Sequence, residues 1–475
     1  MTRIPGISRG RTFQLRNAAL FVSLLASGLA LGADGQKVFN IRDYGARGGD
    51  GANQQRAIQA AIDRCAAAGG GIVLIPPEVY VSGPLRLGSR VTLYLEAGAT
   101  LCASTNQSDY AGSSGAAFLS AQEAQGIAIR GPGVINGQAR ADFGSRWGVP
   151  EKPPFRTRIL QFTQCRDVTV RDVTILNSDS WTLHFKRCED INIQSVTIRN
   201  NCRRLNSDGI DPDSCRNVRI SDCRITAGDD CIVLKATEPY PCENITVSNC
   251  VLESASSALK LGTESFGDFR HIRFLDCVIS NSPTGIGLYL KDGGTVENVV
   301  CSNIFIGPCA PTYRVVTPVF IDIERRHADS KVGQIRNATF ERLDIASGSG
   351  ILAQGIPESL LEDVVFRQVR LRVSEAHDYS QRKKPSGGRT TTTDGRETCF
   401  ARLPSYFTVA YARNLQVEDV KVEISPAAFA QYDRSAFAGR HLEGGKILRV
   451  RRSPAQAAAG VPVLDLEDCP LLIRE

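Results

Sequence analysis

The sequence predicts an all-β chain wound as a right-handed parallel β-helix, closed at its N-terminal end by one short α-helix. Three observations carry that expectation. One short pattern recurs: Val168, Ile191, Val218, Ile245, Ile272 and Val299 each sit in a strip such as CRDVTVRDVTI, CEDINIQSVTI, CRNVRISDCRI or CENITVSNCVL, and the last five are 27 residues apart. The strips alternate β-branched and polar residues as half-buried strands do, and no long helical pattern separates them. Gly is abundant at 43 and Met nearly absent at 1, a composition of tight turns and stiff strand cores. One coil cannot bury its apolar face alone, so successive coils stack and share a continuous core. Residues 27 apart should then lie above one another at the inter-strand spacing of about 4.8 Å.

Taken in order, residues 1–33 read as a secretory signal. Arg3, Arg9, Arg11 and Arg16 make a basic start, Asn17 to Ala33 carry no charge, and the small residues Ala30, Gly32 and Ala33 offer a cleavage site. The apolar stretch is short for a membrane span, so a secreted or periplasmic protein without a membrane anchor is expected. Removing the four arginines lowers the formal charge from +6 to +2, and a nearly neutral chain does not favour nucleic acid as a partner. Residues 34–475 are expected to form a single β-helix domain. In NQQRAIQAAIDRCAAAGGG, Ile58, Ala61, Ile62 and Cys65 fall at i, i+3, i+4 and i+7, one amphipathic helix that ends at the glycines after Ala68. A solenoid needs its first coil covered, and this helix stands where the cap is required. Strands follow, beginning with GIVLIPP and VTLYLEAGATL. Related strips occur around Val91 and Ile127 and again around Ala338, Val364 and Leu415. Residues 376–398 are polar and read as a long loop insertion; from Leu442 short strands resume.

The chain has 15 cysteines. Cys188, Cys215 and Cys242 form one 27-residue series and Cys223, Cys250 and Cys277 another, so stacks of buried thiols are expected, with one or two disulfides as the alternative. No C-x-x-C pair occurs, and zinc is not expected.

Carboxylates concentrate in two successive coils. NSDGIDPDS supplies Asn206, Asp208, Asp211 and Asp213; AGDDCIVLK supplies Gly228, Asp229, Asp230 and Lys235. Asp208 and Asp230 open similar strands, so neighbouring coils should place them at one edge. Crowded acids raise the pKa of at least one of them, so that one carboxyl donates a proton while another stays ionised. Glycosidic bond hydrolysis needs that division. The other reading is that acids at the turns cap strands or bind Ca²⁺. The 27-residue ruler carries Asp230 to Ser257 and Thr284, pairs Glu264 with Lys291, and leads from Lys235 to Gly262 and Tyr289. Lys235, Lys260 and Lys291 would then form a cationic patch suited to a substrate with its own carboxylates, or a ladder of surface ion pairs. Tyr289 would stack on a sugar ring or cover a turn.

These residues resemble glycoside hydrolase family 28, the polygalacturonase-like enzymes with a pectin-lyase-like β-helix. The opening FNIRDYGARGGDG, AIQAAIDRCAAAGGGIVLIPP and GPLRLGSRVTLYLEAGATL are similar to the N-terminal region of bacterial members, and nearly all of the mature chain is covered. The family's N-T-D is matched by Asn206, Ser207 and Asp208, and its G-D-D by Gly228, Asp229 and Asp230. The resemblance implies that Asp229 is the general acid, that Asp208 and Asp230 hold the attacking water, and that hydrolysis inverts the anomeric centre without metal or cofactor. Two positions depart from the pattern. Ser257 stands where G-H-G has its histidine, and Tyr289 where R-I-K has its arginine, while Lys291 keeps the lysine. Those two residues help hold the galacturonate carboxylate, so rhamnogalacturonan-type or side-chain bonds become credible substrates. The function expected is hydrolysis of a pectin-like, uronate-containing polysaccharide or oligosaccharide by a monomer. The competing readings are a polysaccharide lyase, with Ca²⁺ among the three aspartates, and a carbohydrate-binding β-helix without turnover.

Overall fold

The computed structural model describes residues 36–110, 117–144, 155–310, 316–376, 392, 395–398 and 400–474, together with the backbone of residues 30–31. The expected leader falls outside the described residues apart from that dipeptide, and so does most of the polar insertion. Among the described residues no helix is long and apolar enough to cross a membrane.

Each coil contributes strands to three files. Leu183–Lys186, Glu189–Gln194 and Thr197–Arg199 make one coil; Ile210–Asp213, Arg216–Ser221 and Arg224–Ala227 make the next. All these strands pair in parallel with their equivalents one coil away. The repeat seen in the sequence is the register of the second file. Ile127, Val168, Ile191, Val218, Ile245, Ile272, Val299, Ala338 and Val364 stand one above another. All nine are buried in one continuous core. Stacking explains why the pattern must persist: a polar residue on any rung would face the apolar residues above and below it. Ile245→Ala is therefore expected to cost about 2–5 kcal/mol, read as a lower urea midpoint.

A second regularity lies at the bends. Asp190, Asn217, Asn244, Asn298 and Asn337 all hold φ between 52° and 57°, left-handed backbone that Asn and Asp tolerate best among residues with a side chain. Their side chains join from coil to coil: the Asn217 amide donates to Asp190 at 2.9 Å and the Asn244 amide to Asn217 at 3.2 Å.

The helix Gln55–Ala67 buries Ile58, Ala61, Ile62 and Cys65 in the same core, as its spacing predicts. The cysteine series also lie in the core, and every cysteine among the described residues is a free thiol. Burial pushes the Cys242 thiol up to about 12, which keeps it unreactive.

Candidate active site

Strand pairing brings the acids together across a coil shorter than 27 residues. Ile210 pairs with Ile232, so Asp208 and Asp230 enter adjacent strands at one edge, and the Gly209 amide donates to the Asp230 carbonyl at 2.9 Å. Gly228 fits beneath them because it has no Cβ; an added methyl would collide with the carbonyls of Asn201 and Arg204 and with the Ser207 hydroxyl. Gly228→Ala should displace Asp229 and lower turnover by about 10²-fold, the sensitivity expected for a misplacement on the order of 1 Å, with a normal circular dichroism spectrum as the control.

Asp229 is the most open of the three at 8 % exposure, against 2 % for Asp208 and Asp230. Its Oδ2 accepts the Asn206 amide at 3.1 Å. Asn206 holds φ 58° and its Oδ1 accepts from Arg156 at 3.2 Å. Arg156 also donates to the Asp179 carbonyl, and Arg204 pairs with the Asp179 carboxylate, so the buried Arg204 and the half-buried Arg156 pin the loop that delivers Asn206 and Asp208. Asp230 is held by three donors: the Ser256 hydroxyl at 2.8 Å, the Ser257 amide at 3.1 Å and Lys260 Nζ at 2.7 Å. Ser257 thus acts through its backbone, one coil above Asp230 as the spacing predicts, and pairs with Thr284 on the next coil.

The crowding has the expected electrostatic consequence. Burial, then repulsion from Asp211 and Asp229, pushes the Asp208 carboxyl well above the usual range. Burial also raises Asp211 to about 8, against the attraction of Lys235. Lys235 lies 3.8 Å from both Asp208 and Asp211 and 3.5 Å from Glu264. Burial would lower its pKa, but these carboxylates outweigh it and the net shift is upward.

The predicted Glu264–Lys291 pair does not form. The strands Ser257–Ser265 and Thr284–Leu290 keep the 27-residue register; the slip is one coil earlier, where Leu234 faces Leu261 but Ala236 faces Ser265, and there Lys235 meets Glu264 in place of Gly262. Lys291 pairs with the buried Glu324 instead, while Glu264 meets Lys235 and Arg326. Each of the three lysines expected to face a substrate carboxylate is thus engaged by a protein carboxylate. Tyr289 packs against Phe320, ring centroids 4.8 Å apart, with Lys260 Nζ 5.1 Å above it.

Several residues of the site escaped the sequence reading. Trp181 carries two cations over its ring, the Arg158 guanidinium at 4.7 Å and Lys235 Nζ at 4.6 Å. His184 sits edge-on to the indole and 3.3 Å from Asp213, and burial lowers its pKa. Asp213 is itself held low: the His184 contact and two Thr237 donors overcome its burial. A coil spacing of 27 does lead from His184 to Asp211, their observed register, but Trp181 and Arg158 belong to no repeat. Among the described residues no group of three or more His, Cys, Asp or Glu is arranged to hold a metal ion.

A parallel β-helix with carboxylates gathered at one strand edge of its outer face defines the class: a solenoid with an acid-based site. Residues 65–355 match the family described as glycosyl hydrolases family 28, and the chain belongs to that family. A probable polygalacturonase of Vitis vinifera is 28 % identical over 216 residues, covering 42 % of this chain and 44 % of the relative. An endo-polygalacturonase of Pectobacterium carotovorum subsp. carotovorum is 26 % identical over 181 residues, covering 34 % and 45 %. The chain thus spans about half the length of these curated relatives. In fold it is similar to an exopolygalacturonase from Thermotoga maritima (TM-score 0.62, 21 % identity, covering 73 % of this chain and 88 % of that one). It is also similar to the polygalacturonase from Erwinia carotovora ssp. carotovora (TM-score 0.57, 22 % identity, covering 68 % and 92 %). The right-handed β-helix is thereby established.

Proposed function

We propose that this protein is a secreted glycoside hydrolase that cleaves pectin-like, uronate-containing polysaccharide or oligosaccharide by an inverting, three-aspartate mechanism. The observation that carries the reading is the meeting of Asp208, Asp229 and Asp230 at one edge of adjacent coils in a family 28 chain. In single displacement one carboxyl protonates the leaving oxygen while another draws the proton from a water on the opposite face of the sugar. Asp229, the most open, takes the first role. Asp230, fixed by three donors, holds the water with Asp208. Asn206 sets the Asp229 carboxyl through its amide. Lys260 and Ser257 act on Asp230, and Lys235 neutralises Asp208; Lys291, Glu264 and Tyr289 lie further along the same face.

With serine and tyrosine in place of the family histidine and arginine, and the lysines engaged internally, rhamnogalacturonan-type or side-chain bonds suit the site better than homogalacturonan. The lyase reading asks Ca²⁺ to sit among the aspartates. The ammonium of Lys235 beside Asp208 and Asp211, and that of Lys260 beside Asp230, already fill the cation positions.

The test is incubation with homogalacturonan, rhamnogalacturonan and their oligomers, following new reducing ends and the ultraviolet absorbance of unsaturated products. Reducing ends without absorbance, lost in Asp229→Asn, are expected. Calcium-dependent absorbance would identify a lyase. Binding without turnover would leave a carbohydrate-binding solenoid.

A further inference from the structure

The cations gathered around the acid edge are held by carboxylates of the protein. Lys235 lies beside Asp208, Asp211 and Glu264, Lys260 beside Asp230, and Lys291 beside Glu324. Arg156 and Arg204 share Asp179. Arg158 is the exception, and forms no ion pair among the described residues. Its guanidinium lies over the Trp181 ring, and its Nη1 donates to Gln161 Oε1 at 2.7 Å, an amide rather than an anion. Its Nε is buried and donates to nothing. Asp211, Asp213 and Asp208 attract it from beyond ion-pair distance, but burial outweighs them and its pKa falls.

A guanidinium withdrawn from water without an anion is costly to keep. Contact with Trp181 offsets part of that cost, but the face of an indole cannot accept the N–H groups that lie in the guanidinium plane. Those groups are shaped for a carboxylate. The position suits one supplied from outside. Arg158 stands two residues before Leu160, which pairs with Leu183; Leu183 pairs with Ile210, and Asp208 stands two residues before Ile210. Arg158 therefore lies on the acid edge two coils before Asp208, about 10 Å away along the axis of the solenoid. Arg158 is half-buried, so part of its guanidinium is open to an incoming group. A saccharide lying along this edge, with each rung close to the length of one sugar, would bring to Arg158 a sugar about two residues from the bond at the acids.

We propose that Arg158 binds the carboxylate of a uronate about two sugar residues from the scissile bond, and is the residue that selects an acidic chain. The inference rests on the hydrolase reading and deepens it. Ser257 and Tyr289 leave the cleavage site without a free cation for a uronate, and Arg158 moves that recognition two coils away. A copolymer of uronate and neutral sugars fits both places.

Oligomers of the polysaccharide that the full chain hydrolyses are compared with the same oligomers after their carboxyls are reduced to alcohols. The unmodified enzyme should favour the acid form in kcat/KM by about 10–100-fold, the worth of a charge-assisted hydrogen bond. In Arg158→Gln that ratio should fall to near one, through a higher KM on the acid form. Arg158→Lys, which keeps the charge without the planar fork, should retain part of it. A role confined to packing Trp181 would lower kcat/KM on both forms alike, so an undiminished ratio in folded Arg158→Gln overturns the proposal. Equal kcat/KM on the two forms in the unmodified enzyme would also overturn it and leave the hydrolase reading intact. Should no oligomer be cleaved, the hydrolase reading fails. Calorimetric binding of rhamnogalacturonan oligomers and their carboxyl-reduced form to the unmodified chain and to Arg158→Gln then decides the arginine by the same ratio, and binding of neither form removes it. Unfolding midpoints are measured beside each assay, and Arg158→Lys serves if the glutamine variant does not fold.

Discussion

Asp229→Asn is expected to lower kcat by about 10²–10⁴-fold, the contribution of a positioned general acid, with little change in KM or in the unfolding midpoint. The side chains have the same shape, and the amide oxygen of asparagine can still accept the Asn206 N–H now held at 3.1 Å. What is lost is the proton for the leaving oxygen. Asp208→Asn makes the informative contrast. Asp208 is raised well above the usual carboxylate range by burial and then by its neighbours Asp211 and Asp229, so it is the alternative place to keep a proton near neutral pH. If Asp229 is the donor, Asp208→Asn loses turnover but keeps the alkaline fall of kcat/KM. If that limb vanishes in Asp208→Asn and survives in Asp229→Asn, the roles are exchanged. Unimpaired turnover in Asp229→Asn would sink the mechanism.

The solenoid was legible because a stacked architecture writes its register into the sequence. The apolar ladder from Val168 to Val299 and the thiol stacks are consequences of the period, and the helix with Ile58 to Cys65 shows its own i, i+3, i+4, i+7 spacing. The acids were legible from local pattern, since Asp208 in DGID and Asp230 in DCIV open equivalent strands of neighbouring coils although their spacing departs from the period. The ruler fails where a strand carries extra residues. Between Leu234 and Ala236 the register slips, so Lys235 meets Glu264 in place of Gly262, while Lys291 turns to the buried Glu324. What the period could not supply is anything brought in by loops. Trp181 stands in the loop before Leu183–Lys186 and Arg158 opens the strand Arg158–Thr163, so their meeting depends on tertiary packing that no spacing encodes. The left-handed Asn and Asp bends are an intermediate case. The recurring Asp or Asn before each β-branched pair, in EDI, RNV and ENI, carries the signal, but its meaning depends on knowing that the residue turns a corner.

Lys235→Met should be the most damaging single change to stability, about 3–5 kcal/mol at neutral pH, as for other buried pairs broken from one side. Lys235 is 4 % exposed and lies within 3.8 Å of Asp208 and Asp211. Methionine fills much of the volume, so the cost is chiefly the loss of the cation that the buried acid edge surrounds. The penalty should therefore depend on pH with a definite sign. Asp211 is raised to about 8 in the fold, from about 3.9 in a free chain. Below the free value both states are protonated and its contribution to stability is whole. As pH rises through about 8 the folded state must ionise a buried acid, and that contribution is lost. The unmodified protein should thus lose stability between about pH 5 and pH 8. Lys235→Met should lose more over the same interval, because Lys235 supplies the attraction that restrains the rise at Asp211. Asp211→Asn, which cannot ionise, should lose less. The double variant Lys235→Met with Asp211→Asn should recover part of the single variant's loss, the coupling expected of groups in direct contact. Urea unfolding at the two pH values and constant ionic strength measures all four proteins. If Lys235→Met is as stable as the unmodified protein at both, the buried lysine does not hold the acid edge together, and Asp208 must be kept in place by the Arg156–Asp179–Arg204 clamp on its loop.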